Sequence, residues 1–266
     1  MKPSVAAAIT LLSALAPLFS SRVLFAADQA NTAPASKSEF RVSATDGIVE
    51  GAVTFRGEIP KSSITDDVGV RRDLLQVDRT SGGLQGVVVW LVIDGTSSKE
   101  SGSRAKQPSN AGTSTALMDQ CDHEFLPRVL AVHSGQPVKF INSDVANHNV
   151  RTSSLHPTNE FNVFTGVDGS YTHRFAADPQ QRPIRLGCDI HPWMRGWIYV
   201  FDHPQFAVSD ARGRFRVASV PPGRYKLLLR QPDIRYAAER EVLISPGQVT
   251  RIDVEVRLPK EPAREE

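Results

Sequence analysis

The 266-residue sequence is poor in cysteine, methionine, tryptophan and tyrosine, with two, three, three and four of them. Neither sign of charge is in excess, since 31 Lys and Arg stand against 29 Asp and Glu. No basic stripe or block of like charge runs along the chain, so the electrostatic footprint of a nucleic-acid or membrane-surface binder is missing. Beyond the amino terminus no apolar run is long enough to cross a bilayer. The chain also lacks a phosphate-binding glycine loop, a dinucleotide glycine motif, an HExxH helix and a GxSxG elbow. The common enzyme chemistries therefore have no visible machinery, and the protein is expected not to be an enzyme. Sustained apolar spacing at three and four residues is missing too, and with it any long amphipathic helix.

What is present starts with "MKPSVAAAITLLSALAPLFSSRVLFAADQA", a lysine, an apolar run and small residues at Ala26 and Ala27. This reads as a signal peptide over residues 1–27, because Thr10, Ser13 and Pro17 interrupt a run already short for a membrane anchor. Its removal takes away Lys2 and Arg22 and no acid, leaving 29 basic residues against 29 acidic ones. The mature chain is expected to be periplasmic or secreted, with no membrane span after cleavage. Residues 28–45 have the composition of a linker, and residues 259–266 read as a polar tail.

The rest reads as strands. "GIVEGAVTF" alternates, "GVVVWLVID" is a continuous apolar run, and "PVKFIN", "YTHRF", "WIYVFD", "RFRVASV", "RYKLLLR" and "TRIDVEVRL" are short segments broken by Gly, Pro, Asn or Asp. The expectation is an all-β protein built from sandwiches with Greek-key connections. The best helix candidate is Asp66 to Asp78, as one short helix or an irregular loop. The polar stretch "DGTSSKESGSRAKQPSNAGTS", residues 94–114, is a solvated loop or a domain junction, and a second junction is placed near 202–210.

The chemistry concentrates in "CDIHPWM", residues 188–194. Cys188, His191 and Met194 follow one another at intervals of three, and His148 lies forty residues upstream. Two imidazoles, a thiolate and a thioether form the donor list of a blue-copper site, since sulfur favours Cu(I) and imidazole suits both oxidation states. Pro192 would stiffen the loop and Gly196 would let the chain turn into the next strand. With two cysteines in an oxidising compartment, a Cys121–Cys188 disulfide is the competing reading. His123 and Cys121 are too few donors for a closed second metal site. His133, His156, His173 and His203 read as core, edge, surface or turn residues, and Trp193 as either core or an apolar docking surface.

The segment from about Leu126 to Val200 resembles the cupredoxins, blue copper proteins of the plastocyanin and amicyanin type. The matching pieces are "SGQPVKFINSD", "HNV" at 148–150, "YTHRF", and "CDIHPWMRG" at 188–196. The resemblance implies one type 1 copper ion held by His148, Cys188, His191 and Met194. It also implies that Asn149 hydrogen-bonds across to the ligand loop. An aromatic residue often stands two positions before the cysteine in such proteins, whereas this chain has Leu186.

Residues 206–257 resemble a different family, the carboxypeptidase regulatory-like domains, through "DARGRF" and "PPGRY". The first strands of that family have counterparts far upstream, in "GIVEGAVTFRGEIP" and "LQGVVVWLVID". The resemblances together imply a cupredoxin-like domain over 116–203 inserted in a split sandwich, of prealbumin or immunoglobulin-like type, over 46–98 and 206–258. The function expected is electron transfer with an unidentified redox partner protein, and the second sandwich could bind a carbohydrate or protein ligand. The alternatives are a metal-free binding or structural module and a copper-handling protein.

Overall fold

Val88 to Leu91 in the run "VVWLVI" are buried on both faces of their strand, and this double burial organises the molecule. The computed structural model describes residues 45–93 and 114–258. The residues read as a signal peptide and a polar tail, and nearly all of those read as a linker and a polar loop, lie outside the described residues.

In chain order the first strands are β1 (Gly47–Arg56), β2 (Lys61–Thr65), β3 (Arg71–Asp73) and β4 (Val88–Ile93). Nine more follow: β5 (Ala116–Cys121), β6 (Glu124–Leu126), β7 (Val129–His133), β8 (Pro137–Asn142), β9 (His148–Ser153), β10 (Asn162–Thr165), β11 (Ser170–Arg174), β12 (Ile184–Gly187) and β13 (Arg195–Phe201). The last are β14 (Phe206–Val208), β15 (Arg214–Val220), β16 (Gly223–Gln231), β17 (Tyr236–Ile244), β18 (Val249–Arg251) and β19 (Val254–Arg257). The protein is all-β, and the only helical elements among the described residues are two short 3-10 turns.

Strands from both ends of the chain pair with each other. β1 lies between β15 and the parallel pair β18 and β19, while β4 lies between β14 and β16, with β17 beyond. Between these two sheets pack Val49, Val53, Phe55, Val89, Leu91, Phe215, Leu227, Leu229 and their neighbours. The middle of the chain forms two other sheets, β10-β9-β12-β13-β7 and β11-β8-β5-β6, around a second core that includes Met118, Phe125, Phe140, Val150, Phe175 and Ile198. The chain thus leaves the first sandwich after β4 and re-enters it at β14.

A third apolar cluster joins the two sandwiches. Val88 and Trp90 project from β4 on the side opposite Val89 and Leu91, and meet Val129 of β7 with Tyr199 and Phe201 of β13. Ile198 and Val200 point the other way, into the central core. Both "VVWLVI" and "WIYVF" therefore lack polar alternation for one reason, which is that each is covered on both faces. Trp197 adds a hydrogen bond across the junction, its indole N–H donating to Asp233 Oδ1 at 3.0 Å.

One local expectation is sharpened and another is corrected. Of the short helix or irregular loop offered for Asp66 to Asp78 no helix forms: Asp66 accepts hydrogen bonds from the Val68 and Val70 amides in a turn, and β2 and β3 form a hairpin around it. Gly196 is paired within β13 opposite Leu186 instead of turning the chain. A Cβ there would stand 3.1 Å from Phe125 Cβ and 3.2 Å from Leu186 Cδ1, so glycine serves close packing beneath the ligand loop. In "DARGRF" the glycine does serve a turn. Gly213 has φ 76°, and Asp210 Oδ1 accepts from the Arg212 and Arg214 amides. Among the described residues no helix is long and apolar enough to cross a membrane.

Candidate metal centre

Antiparallel pairing brings the donors to one end of the central sandwich. β12 pairs with both β9 and β13, so the start of β9, where His148 stands, lies beside the end of β12, where the chain enters Cys188. Residues 188–194 form the tight connection from β12 to β13. The Met194 amide donates to the His191 carbonyl at 2.9 Å and closes this turn.

Three donor atoms converge there. His148 Nδ1 lies 2.9 Å from His191 Nδ1, and Cys188 Sγ lies 3.9 Å from the first and 3.8 Å from the second. The point equidistant from all three is about 2.1 Å from each, close to typical metal–imidazole bonds of about 2.0–2.1 Å and metal–thiolate bonds of about 2.3 Å. His148 is fully buried, Cys188 nearly so, and His191 half-buried. Met194 is 2% exposed and packs in the central core with Cys188.

The donors' other contacts suit a cation. His148 Nε2 lies 3.2 Å from Asp144 Oδ2, a contact in which the ring N–H donates to the carboxylate. That leaves the Nδ1 lone pair free to face Cys188 and His191. Two facing imidazole nitrogens and a sulfur at a largely buried sandwich end form a set of electron-pair donors that a soft or borderline ion satisfies. Burial lowers the pKa of His148 against the opposing pull of Asp144. Burial also lowers that of His191, helped by the neighbouring His148 and His123. Both shifts favour the neutral, ligating form.

Asn149 stands behind the thiol. Its Oδ1 accepts from the Asp189 amide at 2.7 Å and lies 3.3 Å from Cys188 Sγ. Its Nδ2 donates to Asn162 Oδ1 and Asp189 Oδ2. The two sides of the site are thereby tied together across forty residues of chain.

The disulfide alternative has no counterpart in the structure. Cys121 and Cys188 are both free thiols, and burial raises the Cys121 pKa. His133 packs on Phe206 and His173 bonds to the Thr158 carbonyl, both away from the donor triangle.

Sequence reasoning missed Asp144 and undervalued His123. The His123 ring lies edge-on to His148 and His191, with centroids 5.4 and 4.6 Å away, and roughly parallel to Trp193 at 6.2 Å. Its amide donates to Asp144 Oδ2 at 2.8 Å, and its Nδ1 lies 3.3 Å from the same oxygen. Burial pulls the Asp144 carboxyl upward, but the His123 amide and the His148 ring outweigh it and hold the group below the usual carboxylate range. Trp193 is half-buried against His123 and His191 and partly walls in the His191 ring.

No protein-family model matches the sequence, and neither does any curated protein. Solved structures do. A copper-containing nitrite reductase from Thermus scotoductus is 23% identical at a TM-score of 0.30, over 34% of this chain and 23% of that one. The Cu(I) form of an amicyanin variant is 21% identical at 0.29, over 35% of this chain and 90% of that one. A purple cupredoxin from Nitrosopumilus maritimus is 19% identical at 0.28, over 32% and 99%. The chain thus spans about a quarter of the nitrite reductase. At these TM-scores the metal reading rests on the donor geometry.

Proposed function

We propose that the protein is an exported, mononuclear type 1 copper protein that passes single electrons to and from a redox partner protein. The observation that carries this reading is the triangle of His148 Nδ1, Cys188 Sγ and His191 Nδ1 at one sandwich end, with Met194 on the same loop. Copper would supply the one-electron couple. The protein's own part would be to hold the two imidazoles and the thiolate together, with the Met194 thioether on the same loop as a further donor, so that both oxidation states are accommodated with little rearrangement. Asn149 and Asp144 restrict the rotation of the donors, and the buried surroundings of Cys188 and His148 keep water away. The likenesses to cupredoxins agree with this reading without adding to it.

The flanking sandwich is read as a carboxypeptidase regulatory-like domain split by the central one, without catalytic machinery of its own. Residues 1–27 are read as an export signal, and the protein as periplasmic or secreted. The test is a redox titration of copper-loaded full-length protein. One reversible electron per chain supports the reading, whereas copper that binds but cannot be cycled favours copper handling, and no copper binding favours a metal-free module.

A further inference from the structure

The β2–β3 hairpin belongs to the flanking half of the chain, yet its polar contacts go to the metal end of the central sandwich. Arg72 donates from Nη1 to the Asp122 carbonyl at 3.0 Å and to Glu124 Oε1 at 3.2 Å, while its Nε meets Asp66 within the hairpin at 3.3 Å. The buried Arg128 reciprocates, donating to the Asp73 and Leu74 carbonyls and to Glu124 Oε1. Arg195, directly after the ligand Met194, donates to Ser62 Oγ at 2.6 Å. Glu124 is thus shared by an arginine from each side.

The turn that Arg72 grips is unusual in itself. Asp122 and His123 have φ of 52° and 57°, left-handed at two successive non-glycine residues. L-residues adopt that conformation at a cost, and it persists where the surroundings hold it. From this turn the His123 amide reaches Asp144 Oδ2, and the same oxygen receives the His148 ring. A continuous line of contacts therefore runs from the hairpin to a donor of the metal centre.

We propose that Arg72 is a positioning residue for the metal centre. It fixes the Asp122–His123 turn, the turn fixes the Asp144 carboxylate, and the carboxylate sets the orientation of His148. The flanking sandwich is then a structural part of the centre, and separating it from the central sandwich would loosen the metal site. This inference rests on the copper reading for its consequence and on hydrogen bonding alone for its first two links.

The experiment compares full-length wild type with Arg72→Ala, Arg72→Lys, Asp144→Asn and the Arg72→Ala/Asp144→Asn pair. The Arg72 side chain belongs to none of the three apolar clusters, so its loss removes nothing from the cores. In copper-free protein, hydrogen exchange of the His123 amide should quicken about tenfold or more in Arg72→Ala and recover in part in Arg72→Lys, with exchange at Leu227 unchanged as the reference for global stability. In copper-loaded protein, Asp144→Asn should lower copper affinity about tenfold or more, Arg72→Ala should lower it less, and the pair should be no worse than Asp144→Asn alone. Unaltered His123 exchange in Arg72→Ala overturns the proposal, and so do additive losses of affinity in the pair. A wild type that takes up no copper refutes the function reading, and the exchange rates still decide whether Arg72 holds the turn.

Discussion

Trp90 and Tyr199 meet with ring centroids 6.1 Å apart and planes tilted by 44°, each projecting from a strand that is covered on both faces. Phe201 completes the contact, 5.6 Å from the Trp90 ring, and the Arg230 guanidinium lies over the same indole at 5.5 Å. The contact joins two sandwiches whose own cores are separate, so it decides whether they unfold together. Trp90→Ala should cost about 3–5 kcal/mol, as truncations of large buried aromatics do. It should also split one cooperative denaturation into two, measured by urea titration followed by fluorescence and circular dichroism. Trp90→Phe should be far milder, because the Trp90 indole N–H is buried without a partner among the described residues and its removal leaves nothing unpaired. A single unshifted transition in Trp90→Ala would contradict this account of the junction.

Acid should destabilise the copper-free protein early. Burial lowers the pKa of His133, His173 and His203 in the folded state. Unfolded histidines titrate near about 6.5, so as pH falls through that value the unfolded chain takes up protons that the folded chain does not. The stability these neutral histidines contribute is present above about pH 6.5 and lost progressively below it. Urea midpoints measured at successively lower pH should fall across this window. A midpoint that holds steady or rises on acidification would contradict the burial of these rings.

The Met194 side chain is buried in the central core together with Cys188 and stands on the loop that carries His191. A long axial thioether bond contributes little to holding copper but tunes the balance of its oxidation states. Met194→Leu should therefore retain copper and the thiolate colour while the reduction potential moves, as read by voltammetry. Loss of copper from Met194→Leu would show that the thioether is a principal donor.

Much of this was legible in the sequence where the determinants are local. The donor loop is seven residues long, and its residue types alone name a ligand list. His148 could be matched because "HNV" is one of the pieces that carry the resemblance to the cupredoxins. The unbroken apolar runs of β4 and β13 signalled strands, but that each buries its second face against the other needed the tertiary structure. Asp144 and His123 escaped because nothing local unites them. Parallel pairing of β5 with β8, in the register Gln120 to Asn142, carries the residues just beyond those strands to the same place. A left-handed two-residue turn then brings His123 to the donors; aspartate and histidine are tolerant of that conformation, but their presence alone does not fix where the turn falls. Of the two readings of Asp66 to Asp78, a short helix or an irregular loop, the helix is not formed because Asp66 side-chain hydrogen bonds to nearby amides offer the backbone a turn instead.

The central claim is that Cys188 is a thiolate donor to copper. The most direct measurement adds one equivalent of Cu(II) per chain to the full-length wild type, Cys188→Ser and Cys121→Ser, and records the visible absorption. The account predicts an intense thiolate-to-copper charge-transfer band in wild type and in Cys121→Ser, and none in Cys188→Ser, because only Cys188 faces the two histidine nitrogens. A band that survives in Cys188→Ser, or a wild type without one while both thiols are free, would contradict it.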